Sequence, residues 1–212
     1  MSKALEYIRE KYNISLLGTD LPIMIPNIGR DIIPGLLHHL DFKKGIEVGV
    51  ASGLYSEQII RANPQMKLIG IDPYISYNEY NDYTLPNTLR RLKDEAKERL
   101  SEFHNYEFME KMSMDAINDF EDESLDFCFL DANHEDPYIT QDINAWPAKV
   151  KKGGIVAGHD FMRARGKNFK VKDAIRKYTK DNNITPWFVL GAEGKIKGTT
   201  RDSSRSWMFI KE

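Results

Sequence analysis

Apolar and polar positions along this chain fall into blocks that switch between a period of two and a period of about 3.6. Short apolar runs at Gly45–Val50, Lys67–Ile71, Tyr106–Lys111, Leu125–Leu130, Ile155–Gly158, Thr185–Leu190 and Ser206–Ile210 predict seven strands. Amphipathic segments separate most of them. Ser56–Ala62 follows the first, and Asn87–Ser101 carries the stripe Leu89, Leu92, Ala96 and Leu100. Pro137–Trp146 places Ile139, Ile143 and Trp146 on one side, and Phe169–Thr179 is a basic helix. Upstream, Ser2–Tyr12 reads as a helix with Leu5, Tyr7 and Ile8 on or near one face. Leu21–Asn27, with two prolines, reads as a loop, and Ile28–Leu40 as a second helix bent at Pro34-Gly35. Lys149–Gly154 is a predicted turn. Leu125–Leu130 is almost continuously apolar after Asp126, as a central parallel strand buried on both faces would be. The last two strands have no helix between them and should pair antiparallel. The expectation is an α/β fold with a mostly parallel seven-stranded sheet, helices on both faces and a C-terminal antiparallel hairpin. It forms one globular unit, residues 1–43 acting as a helical cap on 44–212.

The chemistry concentrates at strand ends. Lys44–Ile60 runs from a strand through Gly49, Val50, Ala51, Ser52 and Gly53 into a helix. A turn so poor in side chains lets a ligand approach the backbone, and the following helix aims free N–H groups at it. Glu47 sets a carboxylate beside that turn, which favours a ligand with a cationic amino group. Asp72 ends the next strand, roughly 20 residues on, where an acid can take ribose hydroxyls. The dinucleotide fingerprint G-x-G-x-x-G lacks its middle glycine here, and an anionic pyrophosphate sits poorly beside Glu47. An ordinary strand–turn–helix with an incidental glycine pair is the bland alternative. Asp131, Ala132, Asn133 and His134 follow the fourth strand; His159 and Asp160 follow the fifth. Ligands of open α/β sheets bind at such carboxyl ends.

The Glu47–Gly53 stretch resembles motif I of the class I S-adenosylmethionine (SAM) dependent methyltransferases, E/D-x-G-x-x-x-G. FLDANHEDPYITQDINAW and VKKGGIVAGHDF resemble a subgroup of small-molecule and sugar O-methyltransferases with D-x-x-H and G-G-x-x-x-x-H-D motifs. The likeness covers roughly Gly45 to Phe161. It implies a Rossmann-like fold and SAM held by Glu47, Gly49, Ser52, Gly53, Asp72, Ser113 and Asp131. Ser113 would touch the adenine, although Asp115 beside it also reads as the N-cap of an Ala116–Phe120 turn. Relatives hold a divalent ion at the positions of Asp131, His159 and Asp160. His159 stands where they have an acid, so a cofactor ion could be Mg²⁺ or shift toward Mn²⁺, Fe²⁺ or Zn²⁺. Asp131, His134 and His159 are the catalytic candidates. The alternatives are an ion that activates an acceptor hydroxyl, a histidine base without metal, or neither.

Composition narrows the partners. The 212 residues carry a net charge of −2, no general reason to bind nucleic acid. The charge is uneven, however: residues 1–149 carry 15 Lys and Arg against 26 Asp and Glu, and residues 150–212 carry 15 against 6. The excess lies mostly in Arg163–Lys180, which keeps an RNA-directed methyltransferase open as a rival, together with a non-catalytic SAM- or nucleotide-binding protein. The lone Cys128 permits no intrachain disulfide. The absence of a long apolar run and of a signal-like N-terminus points to a cytoplasmic protein without membrane partners. The expected partner is a small hydroxylated acceptor; a homo-oligomer is an open alternative to a monomer. Tyr74, Tyr77, Tyr80 and Tyr83 form a loop read either as an acceptor lid or as a pinned surface loop. With Arg163, Arg165 and Lys167 it would suit a phosphorylated or nucleotide-linked acceptor.

Overall fold

A computed structural model describes residues 2–16, 21–77, 85–162, 168–191 and 204–212. The strands are β1 (Ile23–Ile25), β2 (Lys44–Val48), β3 (Lys67–Ile71), β4 (Tyr106–Met109), β5 (Leu125–Leu130), β6 (Val150–Gly158), β7 (Trp187–Leu190) and β8 (Ser206–Ile210). They form one sheet in the order β1-β7-β8-β6-β5-β2-β3-β4. β8 runs antiparallel to both neighbours, and the other pairings are parallel. The helices are α1 (Lys3–Tyr12), α2 (Ile33–His39), α3 (Leu54–Ala62), α4 (Pro86–Leu100), α5 (Ser113–Ala116), α6 (Tyr138–Ala145) and α7 (Val171–Asp181).

Among the described residues the strand count is eight, one more than the pattern predicts. The extra strand, β1, lies in the expected Leu21–Asn27 loop and pairs Ile23 with Phe188 and Ile25 with Leu190. Three residues between Pro22 and Pro26 are too short for a period to show, and flanking prolines suit a sheet edge. Its Ile23 and Ile25 are buried while Met24 faces out. The predicted turn at Lys149–Gly154 is instead the start of β6. Its pairing with β5 jumps from Leu125–Val150 to Phe127–Ile155, so residues 151–154, the glycine pair among them, bulge within the strand. The second helix divides into a 3₁₀ turn at Arg30–Ile32 and α2, with Pro34 in the first turn of α2. Asp115 lies within α5, and Ala116 caps the 3₁₀ turn Ile117–Asp119 that follows it.

β5 is buried on both faces. Phe127 and Phe129 join a core with Leu5, Ile8, Leu36 and Ile59, whereas Cys128 and Leu130 join another with Trp146, Ile175 and Trp207. Residues on both sides of position 43 therefore share one core. No helix among the described residues is long and apolar enough to cross a membrane.

Candidate active site

The sheet hydrogen bonds continue one residue beyond the strands. Gly49 N donates to Ile71 O at 2.8 Å, Asp131 N to Val48 O at 2.8 Å and His159 N to Leu130 O at 3.2 Å. This brings the ends of β2, β3, β5 and β6 together around one cleft of 620 Å³, which Glu47, Asp72, Asp131, His134, His159 and Asp160 all line. A narrower pocket of 50 Å³ lies beside it and shares Gly49, Asp72 and Ala132; Met112, Ser113, Tyr77 and Asn133 complete its wall.

Gly49 has φ +93°, and a Cβ there would stand 2.2 Å from the carbonyl oxygen of Asp131. Only glycine lets β2 and β5 approach this closely. Gly53 does not line the cleft, contrary to its expected place in the cofactor pocket. Its φ is +76°, and a Cβ would meet Leu100 Cδ1 at 2.8 Å, so it seats α3 against α4. Ser52 lines the cleft, and its carbonyl accepts from Arg99 Nε at 3.0 Å.

Glu47 is 2% exposed. Ser56 Oγ donates to its Oε2, and the Tyr106 hydroxyl lies 3.1 Å from Ser56 Oγ. Burial pushes the Glu47 carboxyl up to about 8, against the Ser56 hydrogen bond. Asp72 accepts three backbone N–H groups, from Val50 and Ala51 at 3.0 Å and from Tyr74 at 2.9 Å. Burial raises its pKa all the same, with those amides pulling the other way. Asp72 thus clamps the glycine turn from the side. Ser113 Oγ is engaged inward: it donates to Asp142 and accepts from Trp146 Nε1 at 2.8 Å. Burial pushes Asp142 up to about 7, against the Ser113 hydrogen bond.

Asp131 stands among side chains. Its Oδ1 lies 3.4 Å from His134 Nε2 and 3.8 Å from His159 Nδ1, and its Oδ2 accepts from Arg30 Nη1 at 3.0 Å. Asp160 Oδ2 lies 3.1 Å from His134 Nε2 and 3.4 Å from His159 Nδ1. Burial works to raise the Asp160 carboxyl, but the His159 hydrogen bond and the two imidazoles hold it below its ordinary value. Its φ of +58° is unusual for a non-glycine residue and marks a constrained strand end. Asp131, His134 and Asp160 offer three ligand atoms within 4.8 Å of one another. That group holds His134 where the sequence pattern suggests His159, because the loop after β5 turns its imidazole back over the carboxylates. Lys170 N donates to the His134 carbonyl at 2.8 Å, and the Phe169 ring lies 4.8 Å from the imidazole, which fixes that loop.

Nothing in the sequence pattern singles out Arg30, which comes from 101 residues before Asp131. The described half of the tyrosine loop is pinned to the fold. Tyr74 is buried and its hydroxyl donates to Ala51 O at 2.9 Å, while Tyr77 borders the Ser113 pocket and accepts from Asn133 Nδ2 at 3.2 Å. Tyr80, Tyr83, Arg163, Arg165 and Lys167 lie outside the described residues. Two cations of the basic helix, Lys172 and Arg176, stand over the Phe161 ring at 5.3 and 5.9 Å.

A family model described as a methyltransferase domain matches residues 46–161, from β2 to just beyond β6. The chain belongs to this methyltransferase family. No curated protein matches it. Solved structures with the same fold include a candidate caffeoyl-CoA O-methyltransferase from Staphylococcus aureus, 16% identical with a TM-score of 0.62 over 100% of this chain and 93% of that one. The O-methyltransferase TomG of tomaymycin synthesis from Streptomyces achromogenes, in complex with SAM, is 13% identical at a TM-score of 0.60, covering 100% and 91%. An O-methyltransferase from Bacillus cereus, in complex with SAH, is 11% identical at 0.56, covering 100% and 92%. At these identities the likeness is one of fold. The methyltransferase fold accounts for the antiparallel β8 in an otherwise parallel sheet.

Proposed function

We propose that this methyltransferase transfers the methyl group of SAM to a hydroxyl oxygen of a small acceptor, with a divalent ion held at Asp131, Asp160 and a histidine. The observation that carries this reading is the cluster of two carboxylates and two imidazoles in the same cleft as Gly49, Val50, Ala51 and Ser52 of the glycine turn. The adjoining pockets suit a long cofactor: the methionyl amine faces Glu47, the ribose lies at Asp72 and the adenine beside Ser113. A cationic amine gives the buried Glu47 carboxyl a reason to ionise. Ser52 and the Gly49 backbone leave room for the ligand, and Asp131 separates cofactor from acceptor. Residues 1–43 serve as the cap on the acceptor side, a role supported by Arg30 in the cleft wall.

The donor set mixes carboxylate oxygen with imidazole nitrogen, a combination that fits Mn²⁺, Fe²⁺ or Zn²⁺ more readily than Mg²⁺. An ion there supplies Lewis acidity to the acceptor hydroxyl. His134 and His159 hold ring nitrogens toward the two carboxylates, so the cluster can also take the hydroxyl proton on an imidazole.

Calorimetric titration with SAM tests the cofactor, and no binding at millimolar SAM overturns it. Methyl transfer from labelled SAM to a panel of hydroxylated small molecules should stop on chelation and return with Mn²⁺ or Mg²⁺. Transfer that ignores the chelator removes the ion and leaves the histidine as base.

A further inference from the structure

We propose that Arg30 is a cationic placeholder at the ion site: its guanidinium neutralises Asp131 and competes with the divalent ion for that carboxylate. This rests on the ion-binding reading above. Two carboxylates, Asp131 and Asp160, face the same imidazoles within 3.8 Å in a part-buried cleft. Like charges so placed are costly unless a cation stands with them. Arg30 meets the need at 3.0 Å from Asp131 Oδ2.

The arginine is mounted for this position. The Tyr55 hydroxyl donates to the Arg30 carbonyl at 3.0 Å, and the same ring lies 5.0 Å beneath the guanidinium. Gly29 N donates to Asp31 Oδ1 at 3.0 Å, which shapes the turn carrying Arg30. The backbone is thus anchored while the side chain, 36% exposed, borders the open cleft. An ion bound through either oxygen of Asp131 draws on the same negative charge and repels the guanidinium. The geometry therefore sets ion affinity below what the ligands alone would provide.

The test is calorimetric titration of MnCl₂ into metal-stripped wild type, Arg30→Met, Arg30→Gln and Arg30→Lys. Both neutral variants should bind Mn²⁺ about threefold to tenfold more tightly, a gain kept modest by solvent screening of the partly exposed pair. Arg30→Lys retains the charge and should bind Mn²⁺ more weakly than either neutral variant. Met and Gln keep a stem over Tyr55, so loss of one variant to misfolding leaves the other. Unchanged or weaker Mn²⁺ binding by the neutral variants overturns the placeholder while the ion site stands. Absence of Mn²⁺ binding in every protein, wild type included, overturns the ion site and the placeholder together.

Discussion

Asp72 and Asp131 occupy equivalent places, each one residue past a parallel strand and on either side of Gly49, yet their surroundings differ in kind. Asp72 takes its three hydrogen bonds from backbone amides and so becomes part of the turn's own scaffold. Asp131 takes its contacts from Arg30, His134 and His159, all side chains that can rotate or exchange. A carboxylate bonded to backbone shapes a pocket, whereas one bonded to cationic and titratable side chains can trade those partners for a ligand. One wall of the cleft is thus rigid and the other exchangeable. A reaction that must hold a cofactor still while an acceptor comes and goes needs this division.

The largest effect should come from breaking the exchangeable wall. Asp131→Asn should lower Mn²⁺ affinity by at least about a hundredfold in calorimetry, since loss of a ligand exceeds the 10–100-fold cost of losing a supporting group. SAM affinity should stay within about threefold; a collapse of SAM affinity with Mn²⁺ binding unchanged would place Asp131 in the cofactor pocket alone.

Breaking the rigid wall should act on both cofactor and fold. Asp72→Ala should weaken SAM about tenfold to a hundredfold and also strand buried amides, at about 1–3 kcal/mol. A Tm lowered by about 5 °C in the unliganded protein would register the second effect. If Tm holds and only SAM affinity falls, Asp72 is a ligand contact and not a clamp.

Glu47 sharpens the comparison from beneath the turn. Its carboxyl keeps its proton to about 8, against an ordinary 4.5. The folded state binds that proton more tightly than the unfolded chain. The resulting stability is complete below about pH 4.5 and is lost as pH rises through about 8. Glu47→Gln should therefore match wild type near pH 5 and be more stable near pH 9, by on the order of 1 kcal/mol per pH unit crossed. SAM affinity should fall about tenfold, because the amine loses a charged acceptor. A Tm difference that does not vary with pH would mean that Glu47 is already ionised in the fold.

The smallest effect should follow from Gly53→Ala. A Cβ at φ +76°, against Leu100, should cost about 1–2 kcal/mol of stability and leave SAM affinity unchanged. A large loss of SAM binding at unaltered Tm would return Gly53 to the cofactor pocket.

Local pattern alone determined a good deal of this molecule. β3, β5 and β8 have the boundaries read from their apolar runs, β5 is buried on both faces, and β7 and β8 pair antiparallel. The gathering of Glu47, Asp72, Asp131, His159 and Asp160 at one end of the sheet followed from parallel strands alone. Tertiary structure decided the rest. It made a strand of Ile23–Ile25 through a partner lying more than 160 residues later in the chain (Ile23 on Phe188), turned Gly53 toward Leu100, and gave Asp72 to the turn's amides. It also brought Arg30 to Asp131 and put His134 nearer than His159 to the paired carboxylates. Periodicity records which face of an element is apolar and where the chain turns, because those are properties of neighbouring residues. Which side chains from distant segments fill one small volume depends on how whole elements pack, and no local window contains that information.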